Sequence, residues 1–218
     1  MPYTLLLLTK AGIVLRDPHL RRLGLDAPGA SRAREAFSRF AARASPGPWA
    51  VWHEDGALRT EPRPGTRLRE GMPVRFRISP LAGGSGPVPK SAPPSAYDAV
   101  RMPGVSTLLT SSDGAEIYEA CSAAVVGWDA ERLVCAPFDR PRVQSTAEAA
   151  VREHLPFVEA PLLVASRMPL LLVNALKGPC EVHLPGRDAF PAQARGWIER
   201  LFLALTALPG GGGDKLGA

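Results

Sequence analysis

The first strongly apolar stretch of the chain, Leu5 to Leu8, is enclosed by Tyr3-Thr4 and Thr9. A run this short, bounded by polar residues, reads as a buried strand from Tyr3 to Thr9, and Lys10-Ala11-Gly12 reads as the turn into a returning strand at Ile13 to Leu15. Asp17-Pro18 has the form of an N-cap followed by proline at the first helical position. It predicts a short helix carrying His19, Leu20, Arg21, Arg22 and Leu23, stopped by Gly24. From Ser31 to Ala44 the apolar period becomes helical, with Phe37, Phe40, Ala41 and Ala44 on one face, and Ser45-Pro46-Gly47-Pro48 ends it. Three short strands follow, Trp49 to His53, Leu58 to Thr60 and Pro73 to Ile78, each bounded by Gly, Pro or Asp. They predict a meander that completes a first α+β lobe over residues 1–80.

Residues 81–94 are mostly Gly, Pro, Ser and Ala, the composition of an exposed connection, and Lys90 lies within them. The second half, residues 95–208, opens with a short helix around Tyr97 to Met102. A strand from Ser106 to Thr110, a turn at Ser112-Asp113-Gly114, an apolar run from Ala115 to Trp128 and a strand from Arg132 to Ala136 come next. Ser145-Thr146-Ala147-Glu148 has capping-box spacing and starts a helix through His154. Strands at Phe157 to Val164 and Leu170 to Val173 lead through Asn174-Ala175-Leu176-Lys177-Gly178 to Glu181-Val182-His183. A final helix from about Pro191 to Leu208 repeats its apolar face at Ala194, Trp197, Ile198, Leu201, Phe202 and Leu205. Residues 209–218, with four consecutive glycines, have the composition of a disordered tail. Helix and strand are mixed throughout, so the fold class is α+β, and no internal repeat is visible.

Composition narrows the function less than the pattern does. Hydrophobic residues make up 45% of the chain and charged residues 22%, ordinary values for a globular protein. Leu5 to Leu8 is too short for a membrane span or a signal-peptide core, so neither membrane insertion nor export is expected. Cys121, Cys135 and Cys180 are odd in number and widely spaced, which argues against a disulfide framework or a zinc site and fits a reducing cytoplasm. His19, His53, His154 and His183 share no ligand spacing, and no metal is expected. The net charge of +5 and isoelectric point near 9.5 raise the question of nucleic acid. The arginines, however, are scattered among Asp and Glu rather than gathered into a basic run, so nucleic acid is not the expected partner. The same positive balance attracts anionic substrates and phosphorylated cofactors.

Three groups of segments, in this order, carry a resemblance. They are Thr4-Leu5-Leu6-Leu7-Leu8 with His19-Leu20-Arg21-Arg22-Leu23; Asp113-Gly114-Ala115-Glu116-Ile117-Tyr118-Glu119-Ala120-Cys121-Ser122; and Leu171-Leu172-Val173-Asn174-Ala175-Leu176-Lys177-Gly178. Together they resemble the class IV aminotransferases and aminodeoxychorismate lyases. The resemblance implies a two-lobed fold of the D-amino acid aminotransferase type, here with an abridged N-terminal lobe, built around pyridoxal 5'-phosphate. It further implies Arg22 as a phosphate ligand, Glu119 beneath the pyridine nitrogen, and the Asn174-Ala175 stretch beside the phosphate. Relatives are homodimers, so a homodimer acting on a small-molecule substrate is expected.

Chemistry bears on each assignment. A lysine that attacks an aldehyde must lose its proton, which desolvation or a neighbouring positive charge favours. Lys10 lies in a turn, Lys177 in the phosphate-side loop and Lys215 in the tail, which leaves Lys90, at an interval before Glu119 similar to the family's. A solvated linker lysine is its plain alternative. The ring accepts electrons while its nitrogen stays protonated, and a facing carboxylate keeps that proton in place. Glu119 suits this task, the alternative being an outward strand residue, and Glu116 reads as the solvated carboxylate. A phosphate dianion is held well at a helix start, where Ser145 and Thr146 stand, although a plain cap would use the same residues. Arg21 competes with Arg22.

Two functions follow from the resemblance: an enzyme that transaminates an amino acid or releases 4-aminobenzoate and pyruvate from 4-amino-4-deoxychorismate, or a non-catalytic descendant kept as a binding or scaffold protein.

Overall fold

The computed structural model describes residues 3–9, 12–54, 57–63, 75–80, 100 and 105–205. Contacts divide the chain into two compact units, Met1–Arg67 with Phe202–Ala218, and Leu68–Leu201. Lys90 and the expected helix from Tyr97 to Met102 fall outside the described residues, except for Val100.

In the first unit β1 (Tyr3–Thr9) pairs antiparallel with β2 (Gly12–Ile13) and with β3 (Gly47–Glu54), and β4 (Ala57–Pro62) pairs with β3, in the order β2-β1-β3-β4. Although β1 is nearly all leucine, Thr4, Leu6 and Leu8 are buried while Leu5, Leu7 and Thr9 are half-buried, the two-residue alternation of a one-sided strand. The buried face meets α1 (Arg16–Arg22) and α2 (Ser31–Arg43) in a core of Leu6, Leu8, Ile13, Leu20, Leu23, Leu25, Phe37 and Val51. Thr4 Oγ1 lies 2.7 Å from Nδ1 of the fully buried His19, which makes His19 a packing residue of the sheet–helix interface.

Helix α1 begins two residues earlier than its Asp17-Pro18 signal implies. Its entry residue is Leu15 at φ 54°, so Pro18 sits deeper in the first turn, where amides have no intrahelical acceptor and a missing N–H costs little. Gly24 ends the helix as expected. It adopts φ +69°, its amide donates to Arg21 O and that of Leu25 to Leu20 O, a Schellman closure whose apolar partners Leu20 and Leu25 both enter the core.

The second unit contains two sheets. One has the order β11-β7-β6-β5 and is made of β5 (Arg75–Pro80), β6 (Val105–Thr110), β7 (Glu116–Ala120) and β11 (Leu162–Leu163). β5 pairs in parallel with β6, so the strand read in sequence as the end of the first meander is hydrogen-bonded here instead. The other has the order β10-β9-β8-β12-β13, from β8 (Ala124–Trp128), β9 (Leu133–Cys135), β10 (Phe157–Glu159), β12 (Leu170–Asn174) and β13 (Gly178–Glu181).

Two runs that looked continuous are each divided between these sheets. Ala115 to Trp128 folds at Cys121-Ser122, where Ala120 and Ala123 bridge, and passes from β7 to β8. Phe157 to Val164 is broken at Ala160-Pro161, where the proline has no amide for a ladder, and its halves join β9 and β7. The last hairpin closes earlier than expected, with Asn174 opposite Gly178 at φ +69°. Helices α3 (Thr146–His154) and α4 (Ala192–Ala204) complete the described chain, and Trp128 packs edge-on against Trp197 of α4 at 5.5 Å. No helix among the described residues is long and apolar enough to cross a membrane.

Candidate active site

Glu119 is the penultimate residue of β7, just before the chain changes sheets, and is only 6% exposed. Burial excludes the outward-facing alternative. Its placement depends on an irregularity in the ladder: Leu109 pairs with Glu119 but Thr110 pairs with Ile117, leaving Tyr118 as an extra, bulged residue. A bulge resets the alternation of side chains. Glu116 and Glu119, three apart and thus on opposite faces of a regular strand, both meet the same loop, residues 137–143. Arg140 Nε donates to Glu116 Oε1 and Oε2 at 2.9 and 3.1 Å, and the Val143 amide donates to Glu119 Oε1 at 2.8 Å. Glu116 is therefore ion-paired, not the solvated carboxylate that its sequence position suggested. Burial and the neighbouring Glu116 charge push the Tyr118 phenol above its ordinary range.

The loop is anchored by Arg142, one of the largest fully buried side chains, with 2% exposure. Its guanidinium pairs with both oxygens of the equally buried Glu148, Nη2 approaching Oε1 at 2.8 Å, and donates to Ala136 O at 2.9 Å and Pro137 O at 3.4 Å. Arg152, one turn along α3, donates from Nε to the same Glu148 oxygen at 2.9 Å and from Nη2 to Ala136 O at 2.6 Å, and it pairs with Glu159. Phe138 lies under Arg152, 4.0 Å from guanidinium carbon to ring centroid. The sequence analysis gave neither arginine a role, because a side chain written as a charge gives no sign of burial until its partner is placed.

Ser145 is the N-cap of α3, and its hydroxyl accepts from the Glu148 amide at 3.4 Å. That half of the expected capping box forms. The other half is replaced: the Glu148 carboxylate, expected to reach back to the cap, is held by Arg142 and Arg152. Thr146 is buried beside it. Asn174 ends β12. Its Oδ1 accepts from the amides of Leu176 and Lys177 at 2.7 and 3.2 Å, and its Nδ2 donates to Ser122 O. The turn after Glu119 and the Asn174-Ala175 turn, separate in sequence, are thus stitched together, with Ala175 buried beside them. Arg22 is the last residue of α1 in the first unit, and half-buried. Among the described residues no three His, Cys, Asp or Glu side chains gather as metal ligands.

No protein-family model matches the sequence, and no curated protein matches it significantly. Solved structures do match the fold. A hypothetical aminotransferase from Mycobacterium tuberculosis matches with a TM-score of 0.68 at 20% identity, over 94% of this chain and 88% of the other. That protein is also known in a PLP-bound form and in an α-ketoglutarate and PMP-bound form. The 4-amino-4-deoxychorismate lyase of Pseudomonas aeruginosa matches with a TM-score of 0.70 at 16% identity, over 91% and 88%. A putative branched-chain amino acid aminotransferase from Thermotoga maritima matches at 0.64 and 14%, over 94% and 85%. The chain has the fold of the class IV aminotransferases and aminodeoxychorismate lyases, the fold class that the order of its segments implied.

Two outcomes test the site's internal chemistry. Glu148→Gln leaves a buried guanidinium without its counter-charge and is expected to cost about 3–5 kcal/mol in chemical denaturation. Cys135 is fully buried, and burial together with the nearby Glu148 charge pushes its thiol up to about 12. At pH 8 a thiol reagent is expected to label Cys121 and Cys180 in the folded chain, but Cys135 only after unfolding.

Proposed function

We propose that the chain is a pyridoxal 5'-phosphate-dependent enzyme of the class IV aminotransferase type, acting on an amino acid or on 4-amino-4-deoxychorismate. The observation that supports this reading best is the buried Glu119 carboxylate, placed by a β-bulge and oriented by a backbone amide. A protonated pyridine nitrogen calls for such an acid: ionised, fixed and shielded from water. The residues present fit the cofactor at this position.

When bound, the cofactor supplies an electron-withdrawing ring that takes up the electrons of a bond broken at the substrate's α-carbon. Glu119 holds the proton on the ring nitrogen, and the Val143 N–H keeps the carboxylate from rotating away. Ser145 and Thr146, at the positive end of α3, suit an anionic phosphate group, as does the backbone of the Asn174-Ala175 turn. The roles of Arg22 as a phosphate ligand and of Lys90 as the amine that anchors the cofactor and carries the α-proton rest on the sequence resemblance, as does a homodimeric assembly.

One set of contacts favours a second reading, a scaffold that retains the fold without the chemistry. The Leu176 and Lys177 amides bond Asn174, and the Glu148 amide bonds Ser145, so these donors already serve the protein. Absorption spectra separate the two. Protein incubated with pyridoxal 5'-phosphate and then dialysed is expected to keep a band near the visible edge that borohydride abolishes. Glu119→Gln is expected to lower turnover on the order of 10²-fold while the band persists. A colourless protein after incubation supports the scaffold.

A further inference from the structure

The loop that meets Glu119 is held by an ion pair far more deeply buried than a surface clamp requires. Arg142 directs its guanidinium inward, where Glu148 and the carbonyls of Ala136 and Pro137 receive its N–H groups, and the next residue, Val143, turns its amide to Glu119. Backbone between the two functions is one peptide long. The anchored side chain therefore restrains the backbone that carries the amide orienting the carboxylate. Although burial works against its charged form, Glu148 and, after it, Glu119 hold the Arg142 guanidinium above its ordinary range.

We propose that Arg142 is a positioning residue for Glu119: through its buried pair with Glu148 it fixes the Val143 amide against the carboxylate and sets a stationary positive charge behind it. Glu119 is thereby kept anionic in a site where burial alone favours the neutral acid. This rests on Glu119 serving the pyridine nitrogen, and it explains why the loop is closed by ions rather than by apolar packing, which contributes as much stability at a site of this kind.

Arg152 supplies an internal control. It binds the same Glu148 oxygen and the same Ala136 carbonyl and is comparably buried, but the Val143 amide that bonds Glu119 lies next to Arg142 in the chain, not next to Arg152. Loss of either arginine disturbs the ion-pair cluster, whereas the proposal requires that only Arg142 act on Glu119. The same loop carries two further charged contacts among the described residues, Glu148 paired with Arg142 and the Arg140–Glu116 pair. Arg140→Met therefore completes the set.

The test is a carbon-13 titration of the glutamate carboxyls in the cofactor-free chain, with Glu119→Gln identifying the resonance. In Arg142→Met the Glu119 midpoint is expected to move to higher pH, and the Val143 amide to exchange faster with solvent. In Arg142→Lys the midpoint is expected to stay nearer the parent value, since the charge remains, while the amide still loosens. Arg152→Met and Arg140→Met are expected to leave the amide protected and to move the midpoint less. The Arg142→Met/Glu148→Met double variant, which removes both charges together, provides a folded form should the single variant not fold; its Val143 amide is expected to exchange faster, as in the single variant, with a smaller upward shift of the midpoint because the opposing Glu148 charge is lost as well. An unchanged midpoint and amide in folded Arg142 variants, or equal effects from Arg152→Met, would overturn the proposal. The titration requires no cofactor, so a chain that fails to bind pyridoxal 5'-phosphate defeats the proposed function and is distinguishable from failure here.

Discussion

The described part of the second unit depends on one buried contact, the Arg142–Glu148 ion pair. An isolated guanidinium or carboxylate at this depth costs several kcal/mol, and the cost is offset only when each partner's hydrogen-bonding capacity is filled. Here it is filled by the chain's own connection between β9 and α3: the Ala136 and Pro137 carbonyls at the start of the loop, Arg142 near its end and Glu148 in the first turn of the helix. The loop is therefore a closed circuit. Its outward contacts, Arg140 to Glu116 and Val143 to Glu119, are carried by backbone that the inward ones anchor.

The bulge at Tyr118 is the second half of the same arrangement. A rigid loop can address two glutamates three residues apart only if the strand presents both to it, and a regular β-strand would turn one of them away. The extra residue restores that presentation, immediately before the chain leaves one sheet for the other. Asn174 then joins the turn after Glu119 to the β12–β13 turn through Ser122, so two of the three groups of segments that carry the resemblance are also physically joined.

The sequence disclosed these features unevenly. Local signals were legible: the Ser145 cap, the Gly24 stop, the apolar face of α2 and the turn at Asp113-Gly114 all correspond to described structure. Long-range pairing was not. Nothing in Arg75 to Pro80 reveals that it bonds in parallel to β6, since a strand's partner is set by tertiary contacts that its own residues do not encode locally. Glu119 was singled out by resemblance, but the bulge beside which it is buried was not visible, because an unpaired residue has no composition of its own. Arg142 and Arg152 looked like ordinary charge, and Glu148 looked like half of a capping box. Only the fold shows that the three share one buried site.

The central claim is that this fold holds pyridoxal 5'-phosphate for chemistry, and the chain offers four lysines to test it, Lys10, Lys90, Lys177 and Lys215. The most direct measurement is peptide mapping by mass spectrometry after loading the protein with the cofactor and reducing it with borohydride. A phosphopyridoxyl mass on the peptide containing Lys90 is the predicted result; label on another lysine, or on none, would contradict it.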